Sequence, residues 1–432
     1  MSRHHWPAVL LLLGLTACTA KPLFHKRGTG RPLTNQEVYW QALTGLDWET
    51  MAVLPVSGDN AALEGALRLI RDGEMDAAVA ALRRLRREAA DAGVFHQAQT
   101  LLFHLLFLAG NWQELSTLGE EDMAGQDQQT FIGAFRHIPP AAVSLAEEPF
   151  AWPLKIIRGC PVIRVSINGG DEMFLLDSGT SLSVVASDVA DRNGVRILES
   201  SRSRANTATG RKVDFRPALV EDLRIGPLQW RNLPAVVVRK KDLRAKYRLL
   251  KLRLIEELDG IIGWDCLHRL RTTIDMRRHT VTFSPAAAQA AAERNFFWLG
   301  YPIVRAQTHH GHDLYWGLDT GALRSSLTQN VLAQTATTTF RRERRSVYSV
   351  GGIVKRYFPI VTLFPLRVSG YDFAIREAVV FERFLAAGSF RLAGRLGCDL
   401  LRSGTVTFDM KAGLFSFHPY ANKTASNDRP HP

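Results

Sequence analysis

Hydrophobic positions change period near Ala151. Before it, from about Asn35 to Gly125, apolar residues recur every three or four positions, which predicts helices. Asn60 is placed to cap a helix over 61–70 that ends at Asp72-Gly73. Ala77, Ala78, Ala81, Leu82 and Leu85 form one apolar face between Glu74 and Ala92, with arginines opposite. Phe95 to Ala109 and Trp112 to Leu118 continue the pattern. After Ala151 the apolar runs are short, alternate with polar positions and stand between turn residues, which predicts strands. Pro139-Pro140 and Glu147-Glu148-Pro149 mark 126–150 as a linker. One stretch in the β region reads otherwise. Leu243, Tyr247, Leu250 and Leu254, in the basic segment 239–258, are spaced for a helix with a solvated cationic face.

Within the β region, two apolar runs end in a carboxylate. Phe174-Leu175-Leu176 leads to Asp177-Ser178-Gly179-Thr180, and Leu314-Tyr315-Trp316-Gly317-Leu318 leads to Asp319-Thr320-Gly321. A lone buried charge costs several kcal/mol unless it is paired or its pKa shifts. One Asp-Ser-Gly alone is read as a β-turn. Here the surroundings repeat as well. Each carboxylate closes a hairpin that opens at a proline, Pro161 or Pro302, and turns at Asn168-Gly169 or near His310-Gly311. Gly210 and Gly352 each stand 33 residues beyond their carboxylate, in Thr209-Gly210 and Gly351-Gly352, and read as hairpin tips. Gly260-Ile261-Ile262-Gly263 matches Gly394-Arg395-Leu396-Gly397. Asp275-Met276 and Asp409-Met410 follow 12 residues after the final glycines, and Phe283 and Phe417 eight residues after that. This order at near-equal spacing predicts two homologous β-lobes about a pseudo-twofold axis.

These residues resemble those of the pepsin and retropepsin aspartic proteases. The resemblance covers roughly 155–420 and implies a mainly β fold of two barrel-like lobes, preceded by the helical region. It implies that Asp177 and Asp319 form the catalytic dyad, supported by Ser178, Gly179, Thr180, Thr320 and Gly321, with Ser178 and Thr320 bonding between lobes. Thr209, Gly210, Gly351 and Gly352 would tip flaps over an extended peptide or protein substrate. Arg395 departs from the family, which prefers an apolar residue there. Chemically, two carboxylates a few Å apart share one proton, and water is activated with no metal and no cofactor. Thr180 stands beside Asp177, while Ala322 offers Asp319 nothing equivalent, so Asp177 is expected to be the more readily ionised member.

The organisation expected is a signal peptide over 1–17, a tether over 18–35, a helical region over 36–125 and a linker over 126–150. The lobes follow over 151–290 and 291–420, with a disordered tail over 421–432. The apolar core Ala8–Leu15 is too short to span a membrane and ends in Leu15-Thr16-Ala17-Cys18. That resembles a bacterial lipoprotein signal, implying lipidation of Cys18 and an outer-membrane anchor facing the periplasm. Gly73-Glu74-Met75-Asp76 and Gly110-Asn111-Trp112-Gln113, 37 residues apart, resemble tetratricopeptide repeats. Such a region binds a partner, spaces the lobes or inhibits them as a prosegment. A catalytically silent, peptide-binding scaffold stands as the alternative to an enzyme. The net charge of +12 brings no nucleic-acid motif with it. Cys160, Cys266 and Cys398, in apolar contexts, read as buried thiols. The catalytic unit is expected to be monomeric.

Overall fold

The two repeats fold alike because each carries the same punctuation. In the first lobe, strands Cys160–Ile167 and Gly170–Leu176 pair through a turn at Asn168 and Gly169, whose φ values of 47° and 93° are the left-handed ones a tight hairpin needs. In the second, Pro302–Gln307 pairs with Asp313–Leu318. Strand Gly260–Ile262 then lies parallel to the strand that delivers Asp177, with Ile262 opposite Leu176. Gly394–Leu396 lies parallel to the strand that delivers Asp319, with Leu396 opposite Leu318. The computed structural model describes residues 33–118, 126–198, 203–206, 212–243, 245–249, 252–256, 258–287, 291, 293–335, 339–349 and 352–421.

The lobes share a sheet. Leu270–Asp275 of the first pairs antiparallel with Gly404–Asp409 of the second, Thr273 facing Thr407, and each is flanked by its own hairpin partner, Thr280–Pro285 or Leu414–Pro419. The two Asp-Met landmarks have a local cause here. Asp275 accepts from the Arg278 amide and Asp409 from the Ala412 amide, so each carboxylate ties the turn that follows its strand. Phe283 and Phe417 are fully buried on the return strands. Trp264 and Trp298, one from each repeat, stack 5.9 Å apart with Phe408 against Trp264, sealing the interlobe core.

The helical region comprises Asn35–Gly45, Trp48–Val53, Asp59–Asp72, Met75–Glu88, Ala92–Ala109 and Trp112–Leu118. The helix expected from Ala61 begins at Asp59 after Gly58, so Asn60 lies inside it. Asp59 instead accepts from the amides of Ala90 and Asp91, at the entry to the helix Ala92–Ala109. Ala92–Ala109 is apolar and long enough to cross a membrane by length and composition, with 67% of it buried inside the protein. A helix apolar on all sides suits burial among neighbours.

Two expectations change. The segment assigned as a linker from 126 to 150 opens with a helix, Gln126–Phe135, and includes the strand Ala142–Ser144. Phe131, Ile132 and Phe135 of that helix are buried, and Phe131 meets Phe215 of the first lobe edge-on at 5.4 Å. The basic segment expected to be a helix over 239–258 forms a short 3₁₀ turn, Lys240–Asp242, then a hairpin of Ala245–Leu249 and Leu252–Glu256. Within each strand its apolar residues also alternate at two, Tyr247 with Leu249 and Leu252 with Leu254, and the pairing sets Tyr247 opposite Leu254 and Leu249 opposite Leu252. The expected signal peptide, Cys18 and the tether up to residue 32, Thr209, Gly210, Gly351 and the tail from Asn422 lie outside the described residues.

The helices rest on both lobes. Besides Phe131 on Phe215, Arg391 donates to the Gln41 carbonyl, Ser389 to Gln97, and Arg294 to the Arg71 carbonyl. One hydrophobic core runs from Tyr39 to Phe417 without a break. Replacing Phe131 with Ala is expected to cost about 3–5 kcal/mol. Urea unfolding checks this, and a single transition for helices and lobes together is the expected form.

Candidate active site

The strands described above bring Asp177-Ser178-Gly179 and Asp319-Thr320-Gly321 face to face where the lobes meet. Four crossed hydrogen bonds lock the loops. The Ser178 hydroxyl donates to the Leu318 carbonyl at 2.9 Å, and the Thr320 hydroxyl donates to the Leu176 carbonyl at 2.8 Å. In return, the Thr320 amide donates to the Ser178 oxygen at 3.1 Å, and the Ser178 amide to the Thr320 oxygen at 2.9 Å. Both hydroxyls are buried, so each bond would be costly to leave unmade.

The glycines are required by contact across the same axis. A Cβ on Gly321 would overlap the Asp177 carboxylate, and one on Gly179 would reach the Asp319 carboxyl carbon at 2.8 Å and the Tyr301 hydroxyl more closely still. Each carboxylate thus packs against the other lobe's glycine.

Behind each loop stands a second carboxylate. Asp265 accepts from the amide and hydroxyl of Ser183, and Asp399 from those of Ser325. The same serine hydroxyls accept from the amides of Gly263 and Gly397. Sequence reading passed over these four residues, although Ser183/Asp265 and Ser325/Asp399 occupy matching positions in the repeats.

The immediate surroundings of the two carboxylates differ. Asp177 accepts from the Gly179 amide at 2.8 Å and the Thr180 hydroxyl at 2.7 Å. Asp319 accepts from the Arg395 guanidinium at 2.8 Å, an ion pair whose side chains are only 14% and 9% exposed. Arg395 lies over the rings of Phe381 and Phe384. The buried Tyr301 hydroxyl sits beside Asp319 and forms no hydrogen bond of good geometry among the described residues. Cys398 donates to the Thr320 carbonyl at 3.0 Å, and Cys160 to the Gly321 carbonyl at 3.6 Å. Cys160 and Tyr301 are equivalent residues, each preceding the proline that opens its lobe and each touching the other lobe's loop.

Burial, and then the charge of Asp319, push Asp177 up to about 7; the bonds from Thr180 and Gly179 act downward and are outweighed. This reverses the expected assignment. Asp177 is the member held up, and Asp319 is the one placed against a cation, Arg395. The reason is that desolvation and a neighbouring like charge exceed two hydrogen bonds.

Among the predicted flap residues, Gly352 opens strand Gly352–Val368, which pairs with Arg341–Ser349. Strands Ser203–Asn206 and Lys212–Ile225 pair on either side of Thr209 and Gly210.

A half-buried and a buried carboxyl on loops held by crossed hydroxyls, one pushed up by burial and the other paired with an arginine, are suited to act as an acid–base pair. Residues 163–266 match the family model described as "Aspartyl protease". The chain resembles the pepsin- and retropepsin-like aspartic proteases. A retropepsin-like aspartic protease from Rickettsia conorii is similar at 14% identity over 34% of this chain and 96% of its own, with a TM-score of 0.24. An aspartic proteinase from Irpex lacteus is similar at 10% identity over 64% of this chain and 99% of its own, with a TM-score of 0.39. No curated protein matches the chain in sequence.

The carboxyl pair makes a stability prediction. Asp177 binds its proton more tightly folded than unfolded, so its contribution is full at low pH and is lost as pH rises from about 4 to about 7. Asp265, pushed up to about 7 by burial, acts in the same direction. Asp177→Asn is expected to raise stability by on the order of 2–4 kcal/mol at about pH 8 and to leave it unchanged near pH 4. Urea midpoints across that range measure it.

Proposed function

We propose that the protein is an aspartic endopeptidase that hydrolyses peptide bonds within an extended protein segment. The observation carrying this is the crossed Ser178/Thr320 clamp, which brings two inequivalent carboxyls together with the glycines that let them meet. Asp319 accepts a proton from water as the water oxygen attacks the peptide carbonyl carbon. Asp177 donates its proton to the carbonyl oxygen, giving a neutral tetrahedral diol. The C–N bond then breaks. Asp319 returns its proton to the leaving nitrogen, and a diol hydroxyl returns one to Asp177, which restores both groups. The flap hairpins pair with the substrate backbone as added strands.

The protein is further proposed to be lipid-anchored through Cys18 in a bacterial envelope, facing the periplasm. The helical layer then acts as a brace for the lobes, in keeping with its continuous core with both.

In a casein assay, Asp177→Ala and Asp319→Ala are each expected to lose on the order of 10³-fold or more in kcat, and a pepstatin-type inhibitor to block the wild type. Turnover should fall as pH rises through about 7, where Asp177 gives up its proton. Absence of wild-type turnover from about pH 4 to about pH 8 defeats the enzyme reading. For the anchor, Cys18→Ala is expected to abolish palmitate labelling and membrane recovery; labelling that persists points to another anchor.

A further inference from the structure

The two lobes bond the second oxygen of their carboxylates by different means. In the first, the Thr180 hydroxyl reaches Asp177 Oδ2. The matching residue of the second lobe is Ala322, and its backbone takes the same turn: the Ala322 amide donates to the Asp319 carbonyl at 3.1 Å, as the Thr180 amide donates to Asp177 at 3.2 Å. Ala322 has no hydroxyl to offer. Arg395 fills the place, and its counterpart in the first lobe is Ile261, which is apolar and buried. The strand positions agree, since Ile261 lies opposite Leu175 and Arg395 opposite Gly317. Gly317 leaves room along this path: a Cβ there would run into Tyr301 and Phe384. The same Phe384 stacks on the guanidinium. Ala322, Arg395, Gly317 and Phe384 therefore form a consistent set, in which a lost hydroxyl is replaced by a cation with space and aromatic cover.

Resting on the endopeptidase reading, we propose that Arg395 is a positioning residue that fixes Asp319 as the water-activating carboxylate and sets the pH range of the dyad. A guanidinium bonded to one oxygen leaves the other free to hold water, and its charge stabilises the ionised state without accepting a proton itself. The groups facing Asp319 are Asp177, Tyr301, Arg395 and the Cys398 thiol. Of these, Arg395 is the cation. An opposite charge at this range favours the ionised carboxyl, typically by one to three pH units. It also lowers Asp177, after the bonds from Thr180 and Gly179. Both limbs of a pH–rate profile are therefore held at lower pH than the carboxyls alone would give.

The test uses the full-length protein and Arg395→Ile, which copies the first lobe at this position. Both limbs are expected to move to higher pH, the acid limb more, by about one unit or above. Arg395→Lys, which keeps the charge and loses the planar fork, is expected to move them less. Adding Ala322→Thr to Arg395→Ile is expected to recover kcat while the limbs stay shifted, because a hydroxyl restores position but not charge. A lower kcat with unmoved limbs in Arg395→Ile overturns the proposal, as does a gain in activity, which marks Arg395 as a block on the site. Carbon-13 NMR of labelled aspartates supplies a readout independent of turnover. If the wild type cleaves nothing yet the dyad carboxyls titrate higher in Arg395→Ile, the endopeptidase reading fails and the electrostatic role stands. If the carboxyls do not move, the electrostatic role fails whatever the turnover.

Discussion

The site depends on the exchange of hydroxyls between Ser178 and Thr320. Each donates to the carbonyl that precedes the other lobe's carboxylate, and each accepts from the other loop's amide. These groups are buried, so breaking one bond leaves a donor and an acceptor with no water to turn to. The clamp therefore resists separation far better than its count of bonds suggests. It also explains why two like-charged groups tolerate each other. The carboxyls are held together by bonds they do not make, and the proton they share follows from the proximity. The supports behind the loops, Ser183 on Asp265 and Ser325 on Asp399, keep each half rigid enough for the exchange.

Most of the protease-like region was legible because duplication prints itself as spacing. The Asp-Ser/Thr-Gly loops, the parallel strands ending in glycine and the Asp-Met turns fell where their intervals placed them. What stayed hidden was tertiary. Tyr301 and Cys160 precede prolines at equivalent places, but nothing in their own segments says that they reach across to the opposite loop. Gln126–Phe135 was hidden by the prolines and acidic residues that follow it. The 239–258 segment satisfies both a period of two and one near four, and single-sequence periodicity does not decide between them.

The charge assignment was misread for a related reason. Thr180 is a local partner, visible three residues from Asp177; Arg395 is 76 residues from Asp319 and appeared only as an irregularity in an apolar element. A hydrogen-bond donor three residues away is easy to see and modest in effect. Desolvation and a neighbouring carboxylate are invisible locally and larger. The irregularity was the informative residue. Departures from a repeat are where the two halves of a duplicated protein acquire separate tasks.

The sheet shared between lobes has a bearing on when this molecule becomes competent. Its last strands, Gly404–Asp409 and Leu414–Pro419, come from the end of the described chain; they pair with each other, and Gly404–Asp409 pairs with Leu270–Asp275, made more than a hundred residues earlier. During synthesis an emerging chain presents one carboxylate loop, then two loops without the sheet that aligns them. Contacts of such long range form late. The two carboxyls of an emerging chain are thus aligned only once its last strands have found their partners.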